Sequence, residues 1–166
     1  RYEEKNTGKL GDITLNGPVT IDKLDDAKVQ EAVEAAKNSD IAIVFAGSNR
    51  DYETEASDRR SLKLPFAQEE LIKKIVEANP KTILVMVAGA PFDIKDISTK
   101  INALVWSWFN GSEGGNALAD VILGNVNPSG KLPWTMPVDI KDSPAHATHS
   151  FPGDKRSEER RVGKEC

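Results

Sequence analysis

The sequence predicts an α/β fold, a three-layer sandwich whose mostly parallel sheet is covered by helices on both faces. Three observations predict it. Short continuous apolar runs recur at 41–47 (IAIVFAG), 82–89 (TILVMVAG) and 101–109 (INALVWSWF), the pattern of strands buried on both faces. Segments with apolar residues at helical spacing lie between and after them. Turn residues punctuate the junctions. Short strands alternating with helices of about twelve residues imply βαβ units, hence a parallel sheet.

Each element follows in order. Residues 1–22 are turn-rich and weakly patterned, with room for one short strand or none. A helix follows, capped by Asp25 or Asp26 and carrying Val29, Ala32, Val33 and Ala36 on one side. After the first apolar run comes an acidic loop, and Pro65 then precedes a second helix over 66–78. Leu71, Ile72, Ile75 and Val76 form its apolar stripe, and Glu69–Lys73 and Glu70–Lys74 are favourable i,i+4 pairs. The stretch ANPKT ends it before the second strand. The third strand leads through NGSEGG into a third helix, NALADVILG, which Gly124 terminates as a C-terminal cap. NVNPSGK is a turn cluster, and LPWTMP at 132–137 reads as a short final strand.

Composition excludes several function classes. At 166 residues the chain has the length of one domain, and 39% apolar residues with 12 glycines suit a packed soluble core. The net charge of −4 comes with no basic face in the body of the chain, which disfavours nucleic-acid binding. The longest apolar run, 82–92, is too short for a membrane span of about 20 residues. The ends read differently from the body. The chain opens RYEEKN without a Met or a signal-peptide core, and it closes on the charge run KRSEERRVGKEC, which holds the lone cysteine, Cys166. Residues 156–166, read back into codons, match the translation of a common sequencing adapter, so they are taken as a non-native tail on a fragment. The expected organisation is a lead-in at 1–24, the sandwich at 25–140, a loop leading out at 141–155, and the tail at 156–166.

In open α/β sheets ligands sit beyond the carboxyl ends of the strands. The loop SNRDYETEASDRRSLKLP, 48–65, lies there. Glu53 and Glu55, if extended, place two carboxylates on one side about 6.5–7 Å apart. Carboxylates that share a site push one pKa upward, which suits a general acid. Asp58 with Arg59 is positioned to anchor the loop by a bidentate pair. Composition alone favours the plainer reading, a solvated charged loop. NGSEGG resembles an anion cradle at a helix start, yet GxxxxGK[ST] and GxGxxG are both absent, and Glu113 reads better as a structural cap. His146 and His149 lack a third ligand nearby, so no metal is expected. Trp106, Trp108 and Phe109 read as core at a strand end before they read as a sugar platform.

Taken together, YETEASDRRSLKLP, ANPKTILVMVAGAPF, WFNGSEGGNALADVILGNVNPSGKLPWTMP and SPAHATHSFPGD resemble the second domain of glycoside hydrolase family three. They come in that family's order and at its separations, from about residue 27 to residue 154. The resemblance implies a β-glucosidase-like, exo-acting, retaining enzyme. In such enzymes an α/β sandwich pairs with a (β/α)8 barrel that supplies the nucleophilic Asp. The sandwich supplies the general acid/base from a motif that commonly reads E-G-x-D-R. Here EASDR matches, so the resemblance carries the acid/base onto Glu55 and the flanking pair onto Asp58 and Arg59. Glu53 is the alternative, because loop length varies in this region, and Ala56 stands where Gly is common. The implied partners are a carbohydrate substrate, a β-glucoside or oligosaccharide, and the barrel, with no cofactor and no metal. Export to the periplasm or secretion is typical of similar enzymes. Two carboxylates on one short loop cannot flank a sugar from opposite sides, so the isolated fragment is expected to be inactive. The competing readings are a non-catalytic ligand-binding α/β domain and a purely structural interface domain.

Overall fold

The structure, a computed structural model, describes residues 8–10, 13–15, 25–54 and 61–148. Near the N-terminus, strands β1 (Gly8–Leu10) and β2 (Ile13–Leu15) pair antiparallel as a two-stranded ribbon. The main body follows as α1 (Asp26–Lys37), β3 (Ala42–Gly47), α2 (Gln68–Ala78), β4 (Thr82–Val87), α3 (Lys95–Ser98), β5 (Ala103–Trp106) and α4 (Gly114–Ile122). A 3-10 turn at Ile140–Asp142 and a short helix α5 (Pro144–Ala147) close the described part. Strands β3, β4 and β5 form one parallel sheet in sequential order, with Ala42 opposite Thr82 and Ile83 opposite Ala103. The expected α/β sandwich is the observed architecture.

Local chemistry explains the helix ends. Asp25 caps α1, its Oδ1 accepting from the backbone N–H of Ala27 at 3.0 Å. The i,i+4 pairs of α2 form, with Lys73 Nζ 2.6 Å from Glu69 and Lys74 Nζ 3.1 Å from Glu70. Past α4, Gly124 takes φ +78°, the left-handed conformation that ends a helix cheaply only for glycine. Buried Asn79 locks α1 to α2. Its amide N–H2 donates to the carbonyls of Ala36 and Ser39 at 2.9 and 2.8 Å, and its Oδ1 accepts from Lys81 N–H. A buried amide with its donors and acceptor used in this way adds specificity without an orphaned polar group.

The two faces of the sheet differ. Ala42, Val44 and Ala46 of β3 and Leu84 and Met86 of β4 point into the core, against Ala36, Ile72, Ile75, Val76, Phe92, Ile94 and Ile97. On the opposite face, Ile43 and Phe45 of β3 are 46% and 61% exposed. Helix α4 lies over that side with no buried residue of its own. An apolar groove of about 440 Å³ separates them, lined by Phe45, Val87, Leu118 and Ile122 among others.

Several expectations need correction. The run IAIVFAG is not buried on both faces, because β3 alternates buried and exposed residues. The third strand stops at Trp106 instead of running to 109: Trp108 adopts φ +61°, which ends extended backbone, and Phe109 is 53% exposed. No strand forms at 132–137. Pro133 and Pro137 have no N–H to give a ladder, and Trp134 instead packs edge-on against Trp106 and Trp108, with ring centroids 5.9 and 4.7 Å apart. Helix α2 begins at Gln68, two residues late, because Phe66 and Ala67 take φ +59° and +52°. Among the described residues no helix is long and apolar enough to cross a membrane.

Candidate active site at the strand ends

The candidate site is built from the carboxyl end of β3 outward. Gly47 takes φ +147°, and a Cβ there would lie 1.9 Å from the Val87 carbonyl oxygen, so no larger residue fits. Ser48 N–H then donates to that carbonyl at 3.1 Å, extending the β3–β4 ladder by one bond. The chain turns back at once. The Asn49 carbonyl accepts from Tyr52 and Glu53 N–H, both at 3.0 Å, and Asn49 Oδ1 accepts from Asp51 N–H. This turn returns Glu53 to the strand ends.

There the Glu53 carboxylate bridges two loops. Its Oε1 accepts the Ser48 hydroxyl, and the Gly89 N–H, just past β4, reaches Oε2 at 3.0 Å and Oε1 at 3.2 Å. A carboxylate offers about four acceptor positions, and the donors of the described residues take two on Oε1 and one on Oε2. Gly89 permits this approach because a Cβ on it would stand 2.7 Å from Glu53 Oε2 and 3.1 Å from the Phe109 ring. Phe109 thus forms an exposed aromatic wall beside the carboxylate. Next to it, the Trp106 indole N–H donates to the Ala88 carbonyl at 2.9 Å and braces the same loop.

The far end of the acidic loop is fastened as well. Leu64 and Pro65 are buried, and the Leu62 carbonyl accepts from Asp93 N–H. The Phe66 ring meets Tyr52 edge-on with centroids 5.7 Å apart. The Gln68 amide takes both backbone groups of Gly47: Gly47 N–H donates to Oε1 at 2.7 Å, and Nε2 donates to the Gly47 carbonyl at 2.8 Å.

Of the residues expected at the site, the structure therefore places Glu53 at the mouth of β3 and β4, while Glu55, Asp58 and Arg59 lie outside the described residues. Glu113 stands at the N-cap of α4 but makes no cap bond there; its carboxylate accepts from the Asn116 side chain at 2.7 Å instead. His146 falls in α5, and His149 lies outside the described residues. Among the described residues no group of three or more His, Cys, Asp or Glu is placed to hold a metal ion. Ser48, Gly89 and Gln68 were not anticipated as site residues. The place of Gly89 at the end of the second apolar run, 82–89, is the one signal that could find it, and nothing local points to Gln68.

Comparison with known proteins bears on the family and the fold. Residues 4–163 match the glycosyl hydrolase family 3 C-terminal domain. Beta-glucosidase B of Emericella nidulans is 47% identical over 128 residues, which are 76% of this chain and 15% of that protein. A beta-glucosidase of Bacteroides ovatus is 43% identical over 145 residues, covering 85% of this chain and 19% of that one. Among solved structures, the GH3 beta-glucosidase of Bifidobacterium adolescentis superposes with a TM-score of 0.75 at 36% identity, covering 81% of this chain and 20% of that one. The beta-glucosidase of Kluyveromyces marxianus in complex with glucose gives 0.70 at 38% identity, over 75% of this chain and 15% of that one. The chain thus spans less than a fifth of the length of these two curated relatives. On the match across nearly its whole length, the chain belongs to glycosyl hydrolase family 3, within that family's C-terminal domain.

Proposed function

We propose that the longer protein carrying this domain is a retaining, exo-acting β-glucosidase that hydrolyses terminal β-linked sugars, with loop 48–65 supplying its general acid/base. The observation that carries the reading is a carboxylate-bearing loop fastened at the carboxyl ends of a parallel sheet, in a chain whose relatives are named beta-glucosidases. The substrate site is then shared with a separate barrel domain that provides the nucleophilic carboxylate. In a retaining mechanism the two carboxyl groups stand about 5–5.5 Å apart across the sugar. One attacks the anomeric carbon while the other protonates the departing oxygen, then deprotonates the incoming water.

Glu55 is the acid/base on the motif EASDR, with Asp58 and Arg59 as its supporting pair and Glu53 as an internal tie. A specific observation favours a second assignment within the same function: Glu53 itself sits at the strand ends, partly exposed beside Phe109. Glu55→Gln and Glu53→Gln in the full-length enzyme separate the two. The true acid/base variant loses about 10²–10⁴-fold on glucosides with poor leaving groups and far less on activated aryl glucosides, which depart without a proton. The other variant slows both classes alike. Equal losses on both classes for both variants would sink the acid/base reading of this loop.

A further inference from the structure

We propose that Gln68 is a positioning residue for the acid/base loop, a side-chain clamp that joins the loop's exit to its start. This rests on the reading of loop 48–65 as the carrier of the acid/base. The observations begin with the amide itself. A primary amide presents one donor edge and one acceptor edge in one plane, and here each is used by the same residue, Gly47, at 2.8 and 2.7 Å. Gln68 opens α2, whose Ile72, Ile75 and Val76 are buried in the core. The clamp therefore ties the start of the loop to a helix packed into the core.

The backbone leading to Gln68 shows that this placement is imposed. Phe66 and Ala67 are consecutive non-glycine residues in the left-handed region, a conformation that persists only where the surroundings over-determine it. What it achieves is visible on both sides: the Phe66 ring reaches Tyr52, and the Gln68 amide reaches Gly47. From Gly47 the linkage continues through the adjacent Ser48, whose hydroxyl meets Glu53, to the Gly89 N–H. Gln68 touches no reacting atom in this scheme. It acts through Gly47 and Ser48 on the Glu53 carboxylate and thereby on the start of the loop.

Gln68→Glu is the discriminating variant. A protonated carboxyl reproduces the amide, donating to the Gly47 carbonyl and accepting from its N–H. An ionised one keeps the acceptor but sets a charge against that carbonyl. In the full-length enzyme, kcat/KM of Gln68→Glu relative to the parent, on a glucoside with a poor leaving group, should rise about two- to threefold between pH 8 and pH 5. The rise is limited because a carboxyl with an ordinary value of about 4.3 is only partly protonated at pH 5, even when one charge-sensitive hydrogen bond favours its neutral form. Dividing by the parent at each pH removes the enzyme's own titrations. Gln68→Leu should stay low at every pH, with activated aryl glucosides much less affected. In the same full-length enzyme, amide hydrogen exchange at Gly47 and Gly89 should speed up in Gln68→Leu and in Gln68→Glu at pH 8. A Gln68→Glu ratio that is flat with pH, or equal losses on both substrate classes, would overturn the positioning role. If neither Glu53→Gln nor Glu55→Gln discriminates between leaving groups, the acid/base reading fails instead. The exchange rates then decide the clamp alone, and unchanged rates at Gly47 and Gly89 refute it.

Discussion

The two faces of the β3–β4–β5 sheet are made of the same kinds of residue and have different fates. Leu84 on one face is fully enclosed by α1, α2 and α3, whereas Phe45, one residue out of register on β3, is 61% exposed under α4. Sequence hydrophobicity does not distinguish them. What differs is the covering layer: α2 inserts Ile72, Ile75 and Val76 into its face, while α4 stands off by the width of the groove. Burial is thus a property of the opposing element as much as of the strand.

Substitutions on the two faces test this difference. Leu84→Ala should be the most damaging, costing about 2–5 kcal/mol through lost transfer energy and a cavity in a tightly packed layer, read from urea unfolding of the chain. Gly89→Ala, at the strand ends where the faces meet, should cost about 1–3 kcal/mol, because its Cβ displaces the Glu53 carboxylate and leaves donors unpaired. An unchanged unfolding midpoint would show that the Glu53 bridge contributes nothing. Phe45→Thr keeps a β-branched residue in the strand and should shift stability by no more than about 0.5 kcal/mol, as for other exposed positions. A loss matching that of Leu84→Ala would erase the distinction between the faces.

The smallest effect belongs to the solvent side of α2. Lys73 is raised above its ordinary value of 10.5, chiefly by its hydrogen bond to Glu69 and then by that to Asp96. A group raised on folding stabilises most fully below its unfolded value and loses that contribution as pH climbs through the folded one. The stability difference between the parent and Lys73→Met should therefore be present at pH 8 and fade above pH 10.5, and salt should weaken it throughout. A difference that persists undiminished at higher pH would assign it to packing of the lysine stem.

Much of this layout was legible in the sequence because its causes are local. Asp25 before a periodic run, Glu69 and Glu70 four residues ahead of lysines, and Gly124 after NALADVIL each act within one or two helical turns. The parallel sheet followed from the alternation of strands with helices. The miscalled features have causes elsewhere in the chain. Whether β3 is covered on one face or two depends on α4, some seventy residues on. The left-handed pair Phe66–Ala67 carries no glycine or asparagine to announce it, because the Tyr52 and Gly47 contacts that hold it are tertiary. At the candidate site, the acidic loop was visible as a cluster of carboxylates. The tie from Glu53 to Gly89 spans 36 positions and rests on a missing side chain, which no local pattern encodes.

The sequential strand order also orders the assembly of the domain. The connection from β4 to β5 contains 15 residues, whereas that from β3 to β4 contains 34, including the whole acidic loop. Loop closure scales with the logarithm of length, so pairing β3 onto β4 costs about 0.7 kcal/mol more entropy than pairing β5 onto β4. Formation of β4–α3–β5 should accordingly lead, with β3 docking on that template and bringing the carboxylate loop into place late. A polypeptide emerging from the ribosome would complete its β3 edge only after the downstream strand had been made.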